Sequence, residues 1–386
     1  MDAMTRLRRV CGIALTPVLL IACGGTNQGG GPGDGGRDVG PLPPDPCVAT
    51  GSCPPGIWVN VTPPGMAGVL RPTADEYGPG SIAGDPARPS DIYVGGSSAG
   101  LWKSSDYGNT WTLINDTLPD VPRGAVIAVA GTTPATIWAA GYNTIYKSID
   151  GGQTFAQTEL TVSLYSLNVD PNDVTHLISG LHEADGIVES NDGGASWKMV
   201  GGAGFPTGGV SWYPFFVDAG GAANTRRTWF AIAQNGASAI MTRDQGATWT
   251  IPQGLAGLQH PHGNAQIFQS GQTLFAAGLE GPAGQGIYRS ADLGATWSRA
   301  DSGQRPEAVV WGTSKNVYAM YAWACSNCDL GTNFEIAPQP GTDWATADVP
   351  AELVIGPNGV VATSDGTRNI FVGLMWDQGL WRYVEP

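Results

Sequence analysis

Ser104-Ser105-Asp106-Tyr107-Gly108-Asn109-Thr110-Trp111 decides the fold, because the chain writes this stretch five times. It returns as Ser148 to Phe155 (SIDGGQTF), Ser190 to Trp197 (SNDGGASW), Thr242 to Trp249 (TRDQGATW) and Ser290 to Trp297 (SADLGATW). The shared pattern is Ser/Thr-x-Asp-x-Gly-x-Thr/Ser-Trp/Phe. Its acids, Asp106, Asp150, Asp192, Asp244 and Asp292, lie 44, 42, 52 and 48 residues apart. A period in the forties that carries a fixed local motif marks a repeat architecture. Each copy reads as a tight turn between two strands. The Asp accepts hydrogen bonds from backbone N–H groups that a sharp turn leaves unpaired. The Gly two positions later supplies a positive φ that a residue with a Cβ resists. The Thr or Ser opens the next strand, and the aromatic ring plugs the gap to the neighbouring unit, where its loss costs about 3–5 kcal/mol.

Around each turn lie short apolar strands. The first clear unit holds Gly80 to Ala83, Asp91 to Gly96, Leu101 to Ser104, the turn itself, and Thr110 to Leu113. Four short strands per unit read as one blade of a propeller. Further units run from about Val126 to Leu160, Tyr165 to Val200, Tyr213 to Ile251 and Ala265 to Arg299. The sixth is degenerate: Gly341 and Trp344 align with the repeated turn, but Gln339 replaces its Asp. The seventh ends at Gly379 to Tyr383 with its fourth strand missing, and Ile57-Trp58-Val59-Asn60-Val61 has the alternation to supply it. The sequence therefore predicts an all-β, seven-bladed propeller of four-stranded antiparallel blades. An N-terminal strand closes the ring and hides two sheet edges.

The repeated turn resembles the Asp-box, or bacterial neuraminidase repeat, of the β-propellers in sialidases, xyloglucanases, sortilin-type receptors and photosystem II assembly factors. In that resemblance the five acids are structural turn residues rather than catalytic ones, and the fold does not fix a chemistry. The stretch from Trp58 through Asp85-Pro86 to Ile92-Tyr93-Val94 further resembles the opening of xyloglucanase-type glycoside hydrolases. That family places a catalytic Asp after the second strand of its first blade. Here Ser97 or Ser98 stands at that position, and a serine cannot serve as the carboxylate base. The sialidase arrangement requires three arginines around a substrate carboxylate, for which Arg71, Arg123 and Arg305 are the candidates here.

The N-terminus reads as an address. Arg6, Arg8 and Arg9 precede an apolar run, Val10 to Ile21, that is too short to span a membrane stably. Leu20-Ile21-Ala22-Cys23 resembles the bacterial lipobox. The resemblance implies a signal peptide over 1–22, lipidation of Cys23, and a lipid-anchored protein of the cell envelope. Gly24 in place of an Asp favours the outer membrane of a Gram-negative bacterium. A Gly/Pro-rich tether, 23–56, leads to the propeller, 57–386. Export makes disulfides the default for Cys47 with Cys53 and Cys325 with Cys328, each pair bracketing one loop. Redox or metal chemistry at the second pair is the alternative.

Composition agrees with an extracellular β protein. Of 386 residues 57 are Gly, and 13% are charged, about half the globular average of ~25%. The net charge of −14, with no Lys/Arg cluster beyond residue 9, argues against nucleic acid as a partner.

Strands in a blade alternate direction. The A–B and C–D loops therefore share one rim, where the repeated turns lie, and the B–C and D–A loops share the other, the channel mouth. Function concentrates on such varied loops. Ligand-binding candidates there are Tyr77, His182, Trp212, Tyr213, His260, His262, Trp323 and Trp376: flat rings for stacking on a glycan, with polar groups for its hydroxyls. A glycoside hydrolase would draw a carboxylate pair from Glu183, Asp185, Glu280 and Asp377. A weaker expectation is a metal held by His182, Glu183, His260 and His262; no cofactor is otherwise expected. The partner is then a glycan or an extracellular protein and the state a monomer, with an assembly or scaffold role as a further alternative.

Overall fold

The computed structural model describes residues 54–70, 79–96, 99–117, 126–141, 144–158, 163–260, 267–278, 286–301, 308–321 and 333–386. Seven antiparallel sheets follow one another along the chain. After β1 (Trp58–Asn60) and the helical turn α1 (Pro64–Ala67), blade 1 holds β2 (Pro79–Asp85), β3 (Arg88–Gly96), β4 (Gly100–Ser104) and β5 (Thr112–Asn115). Blade 2 holds β6 (Val126–Ala130), β7 (Thr136–Gly141), β8 (Thr144–Ser148) and β9 (Ala156–Gln157). Blade 3 holds β10 (Asn168–Asp170), β11 (Asp173–Gly180), β12 (Ile187–Ser190) and β13 (Lys198–Val200). Blade 4 holds β14 (Tyr213–Phe216), α2 (Ala222–Arg227), β15 (Trp229–Ile232) and β16 (Ile240–Thr242). Blade 5 holds β17 (Ile267–Ser270), β18 (Thr273–Gly278), β19 (Gly286–Ser290) and β20 (Ser298–Arg299). Blade 6 holds β21 (Ala308–Gly312), β22 (Asn316–Tyr321), β23 (Phe334–Pro338) and β24 (Ala345–Ala347). Blade 7 holds β25 (Pro357–Ser364), β26 (Asn369–Met375) and β27 (Gly379–Val384).

The fourth strand of blade 7 is β1, paired with β27 in the register Trp58↔Tyr383 to Asn60↔Trp381. The ring closes as the sequence predicts. The joint is heavily packed: the Trp58 ring is 1% exposed and meets Trp311, Phe334 and Tyr383 at centroid distances of 6.3, 5.5 and 5.2 Å.

Blade 4 departs from the four-strand pattern. Beyond β16 the chain makes one bridge, Met241↔Thr250, and then turns to the neighbouring blades through parallel bridges Ala203↔Thr248 and Gln253↔Thr296. Pro252 interrupts that stretch and has no N–H to continue a ladder.

The repeated turns share one hydrogen-bond plan. In the second copy the Ser148 hydroxyl donates to Asp150 Oδ1 at 2.7 Å and accepts from the Gly152 amide at 2.9 Å. The Thr154 amide and hydroxyl donate to the two Asp150 oxygens at 3.0 and 2.6 Å. The hydrogen bonds from Thr154 and Ser148 draw the Asp150 carboxyl down to about 2. Across the turn an amide donates to the start of the blade's second strand, as Gly151 N to Ala135 O at 3.0 Å and Gly193 N to Thr175 O at 2.8 Å. Blade 6 reaches the same strand without the acid from one residue earlier, Gln339 N to Lys315 O at 2.8 Å, because Pro340 at the usual donor position has no N–H. The residue between the Asp and the Gly is also left-handed, even as Tyr107 (φ 62), Gln245 (φ 61) and Leu293 (φ 54), a second positive φ that the motif alone does not reveal. At Gly152 (φ +92) an added Cβ would lie 2.7 Å from Leu101 of the preceding blade. The turn glycine is thus also where one blade presses on the next.

Candidate functional site

Blades 3 and 4 bring several mouth residues together. Their strands approach so closely there that a Cβ on Gly180 would sit 1.7 Å from the Trp212 carbonyl oxygen. Beyond Gly180 the loop turns through Glu183, held at φ 50, with its amide donating to the Ser211 hydroxyl at 3.0 Å. Ser211 is itself left-handed (φ 52) and wholly buried, and its amide donates to Ala184 O at 3.3 Å. Two non-glycine residues with positive φ, clamped to each other, mark a backbone over-determined by its surroundings.

On this frame the Tyr165 ring stacks against both the His182 and the His260 imidazoles, at centroid distances of 5.8 and 5.3 Å, and Tyr213 meets His260 edge-on at 6.4 Å. His260 is fully buried, and its Nε2–H donates to the Ser211 carbonyl at 2.8 Å. Burial pushes the Tyr213 phenol up to about 12, so it stays a neutral hydroxyl at physiological pH. His182 is half-buried, and the Glu183 carboxylate is exposed. His260 is thereby corrected: like Tyr165 it is buried support, and the groups open to a ligand are half-buried His182 and Tyr213 with the exposed Glu183 carboxylate.

The other expected residues are distributed as follows. Trp212 is corrected: its ring is 0% exposed, packed within the blade 3–4 core, and its Nε1–H donates to Asp185 Oδ1 at 3.2 Å and Gly209 O at 3.1 Å. A ring closed in on both faces cannot stack on a ligand. Asp185 also accepts from the Gly208 amide at 2.7 Å, which makes it a loop fastener. Trp376 and Asp377 (φ 56), both half-buried, stand in blade 7, on another part of the ring. Among the described residues no group of three His, Cys, Asp or Glu converges as metal ligands. Tyr77, His262, Glu280, Trp323, Ser97, Ser98, Arg71, Arg123, Arg305 and all the cysteines, Cys23, Cys47, Cys53, Cys325 and Cys328 among them, lie outside the described residues.

Sequence reasoning missed two features. Tyr165, the centre of the stack, sits in an apolar D–A segment that reads as core. The second is a cavity of about 650 Å³ at the turn-side end of the channel, lined by Gly84, Asp85, Pro86, Thr313, Val361 and Thr363 among others. Asp85 there is taken up by the Arg88 guanidinium and by the amides of Ala87 and Arg88 at 2.8 and 3.2 Å. The cavity's lining residues include no aromatic ring.

Seven antiparallel blades joined by repeated Asp-bearing turns define the class, a seven-bladed β-propeller. The chain belongs to the DUF6242 β-propeller domain family, whose match covers residues 90–335. Among curated proteins it is similar to a xyloglucanase of Paenibacillus sp., 27% identical over 37% of this chain and 16% of that protein. Among solved structures it is similar to the GH74 xyloglucanase of Xanthomonas campestris, with TM-score 0.62 and 17% identity over 81% of this chain and 53% of that one. It is also similar to YCF48 of Cyanidioschyzon merolae, with TM-score 0.51 and 14% identity over 86% and 99%. The chain thus spans about half the length of the similar Xanthomonas enzyme, and at these identities the structural likenesses establish the fold alone.

Proposed function

We propose that the protein is a binding module of the bacterial cell surface that takes a glycan or an extracellular protein at its channel mouth. The observation that carries this reading is the group of half-buried His182 and Tyr213 with the exposed Glu183 carboxylate at the mouth, backed by the buried Tyr165 and His260 rings. The repeated-turn acids do not compete for the role, because their oxygens are filled by their own turns. The N-terminal pattern supports a lipoprotein: a signal over 1–22, acylation at Cys23, a tether to residue 56, and the outer membrane as its home. Cys47 with Cys53 and Cys325 with Cys328 are proposed as local disulfides, and the propeller as a monomer.

A second reading is a glycoside hydrolase, favoured by the similarity to the Paenibacillus xyloglucanase. Glu183 is the carboxylate best placed for it, with Glu280 and Asp377 as possible mates; Asp185 is already engaged at both oxygens. A third is an assembly factor, supported by the fold shared with YCF48. A glycan array run in parallel with a hydrolysis assay on xyloglucan separates them. Retained glycan without turnover supports the binding module, turnover abolished by Glu183→Gln supports the hydrolase, and silence in both assays leaves the assembly role.

A further inference from the structure

At the opposite end of the blade 3–4 seam lies a histidine with no access to solvent. His176, 0% exposed, projects from β11 between two carboxylates: its Nδ1 meets Asp170 Oδ2 at 3.0 Å and its Nε2 meets Glu189 Oε1 at 2.9 Å. Asp170 and Glu189 are each 1% exposed. A neutral imidazole has one N–H, and its bare nitrogen would face a carboxylate lone pair. Both contacts are satisfied only when the ring carries two protons and a positive charge. Burial alone would lower the affinity of His176 for that proton, but the hydrogen bonds to Asp170 and Glu189 overcome it and raise it. Burial likewise opposes ionisation of Glu189, yet His176, Lys198 and Gln245 hold its carboxyl at about 2.

The charged neighbours of the ring come from both blades, among them Arg226, whose positive charge opposes the imidazolium. Asp170 comes from β10 and Glu189 from β12. Lys198 of β13 reaches Glu189 Oε2 at 2.8 Å. Asp173 at the start of β11 is tied to Arg226 of α2 at 2.6 Å. From blade 4 the Phe216 and Trp229 rings contact the imidazole at 4.9 and 5.9 Å, and the Gln245 amide of the repeated turn donates to Glu189 Oε1. The cluster therefore joins blade 3 to blade 4. The same two strands run on to the mouth, β11 to Gly180 and the His182 loop, and β14 back from Phe216 to Tyr213.

We propose that Asp170–His176–Glu189 is a proton-operated latch. The proton shared across the buried imidazole keeps the blade 3–4 seam closed, and its loss at alkaline pH frees the strands that carry the mouth cluster. The direction follows from linkage. A histidine whose proton is held more tightly in the folded chain lends stability fully present below its ordinary value of about 6.5, and lost as pH rises through the folded value. Over that interval one proton is released on opening, so the opening equilibrium of the seam rises about tenfold per pH unit.

The chain has only four histidines, so ¹⁵N-histidine NMR of the full chain reads the latch directly. One imidazole is expected to keep both protons to a higher pH than the other three, and its signal is expected to disappear in His176→Gln. Hydrogen exchange at Tyr213, Phe215 and Phe216, corrected for intrinsic pH dependence, is expected to show the tenfold-per-unit opening above about pH 6.5. Four imidazoles that lose their second proton over the same pH range, or a seam whose opening ignores pH, would overturn the proposal. Both measurements on the unmodified chain stand even where His176→Gln does not fold. Neither depends on the ligand-binding reading of the mouth.

Discussion

The two rims of this propeller are built on opposite principles. On the turn rim the same residues repeat the same bonds. Thr110, Thr154, Ser196, Thr248 and Thr296 each donate a backbone amide to the Asp four positions earlier, at 2.8 to 3.0 Å. At the mouth the described loops of blades 3 and 7 differ. Blade 3 offers a strained His-Glu pair locked to a buried serine, while blade 7 offers Trp376-Asp377 beside Gln378, whose amide oxygen caps the Val354 and Ile355 amides at 2.8 and 2.9 Å. Uniformity belongs to the rim that has only to hold blades together. Variation belongs to the rim where each blade can contribute a different group to one ligand.

The contrast breaks first at the closure. Removing residues 57–62 exposes the edge of β27 and empties the pocket around Trp58; the chain is expected to aggregate, or to melt far below the parent by calorimetry. The point change Trp58→Ala is expected to cost about 3–5 kcal/mol in denaturant unfolding. A chain that melts unchanged without β1 would mean that the ring does not depend on this strand. Next comes a repeated turn. Asp150→Ala removes the acceptor for Thr154 and Ser148 and is expected to lose about 1–2 kcal/mol while leaving mouth binding intact. Because the folded Asp150 carboxyl is depressed, its contribution is present above the ordinary carboxylate value and disappears as pH falls through about 2. A melting curve taken downward in pH on parent and variant should converge there, and solvent screening keeps the gap small. A folded Asp150→Ala that lost its ligand would place function on the turn rim.

Smaller again is Arg226→Ala. It loses the ion pair to Asp173 at the seam, and binding should be unmoved. The smallest effect on stability, within about 0.5 kcal/mol, is expected for Glu183→Gln, whose side chain is exposed. Titration of whichever array glycan is retained should nonetheless show weaker binding for this variant than for the parent. Equal affinity in both proteins would remove Glu183 from the site.

The fold was legible because the blades announce themselves. A turn that needs an acceptor, a glycine and a plugging ring constrains its residues tightly, and the missing strand of blade 7 pointed to Trp58. The degenerate blade was legible too, since Gly341 keeps φ +80 after Gln339 has replaced the acid. The mouth was less so. The sequence located His182, Tyr213 and His260 on one rim, but residue type does not say which face of a ring is covered. Trp212 and His260, expected as displayed rings, are buried, and Tyr165, which no motif singles out, is the buried ring that joins two imidazoles. His176 escaped notice because Val174-Thr175-His176 reads as an ordinary strand, and its partners Asp170 and Glu189 become neighbours only once three strands pair.

The closing strand has a mechanical meaning as well. Gly56 donates its amide to Val384 O at 2.8 Å, so the chain enters the ring on the turn rim, beside its own last strand. If the N-terminal segment tethers the protein as proposed, any pull along it is delivered first to β1. The load crosses the pairing of β1 with β27, Trp58↔Tyr383 to Asn60↔Trp381, before it reaches any other blade. The strap and the buckle are one segment. A pull through such a tether and the force that would open the ring act on the same three residues.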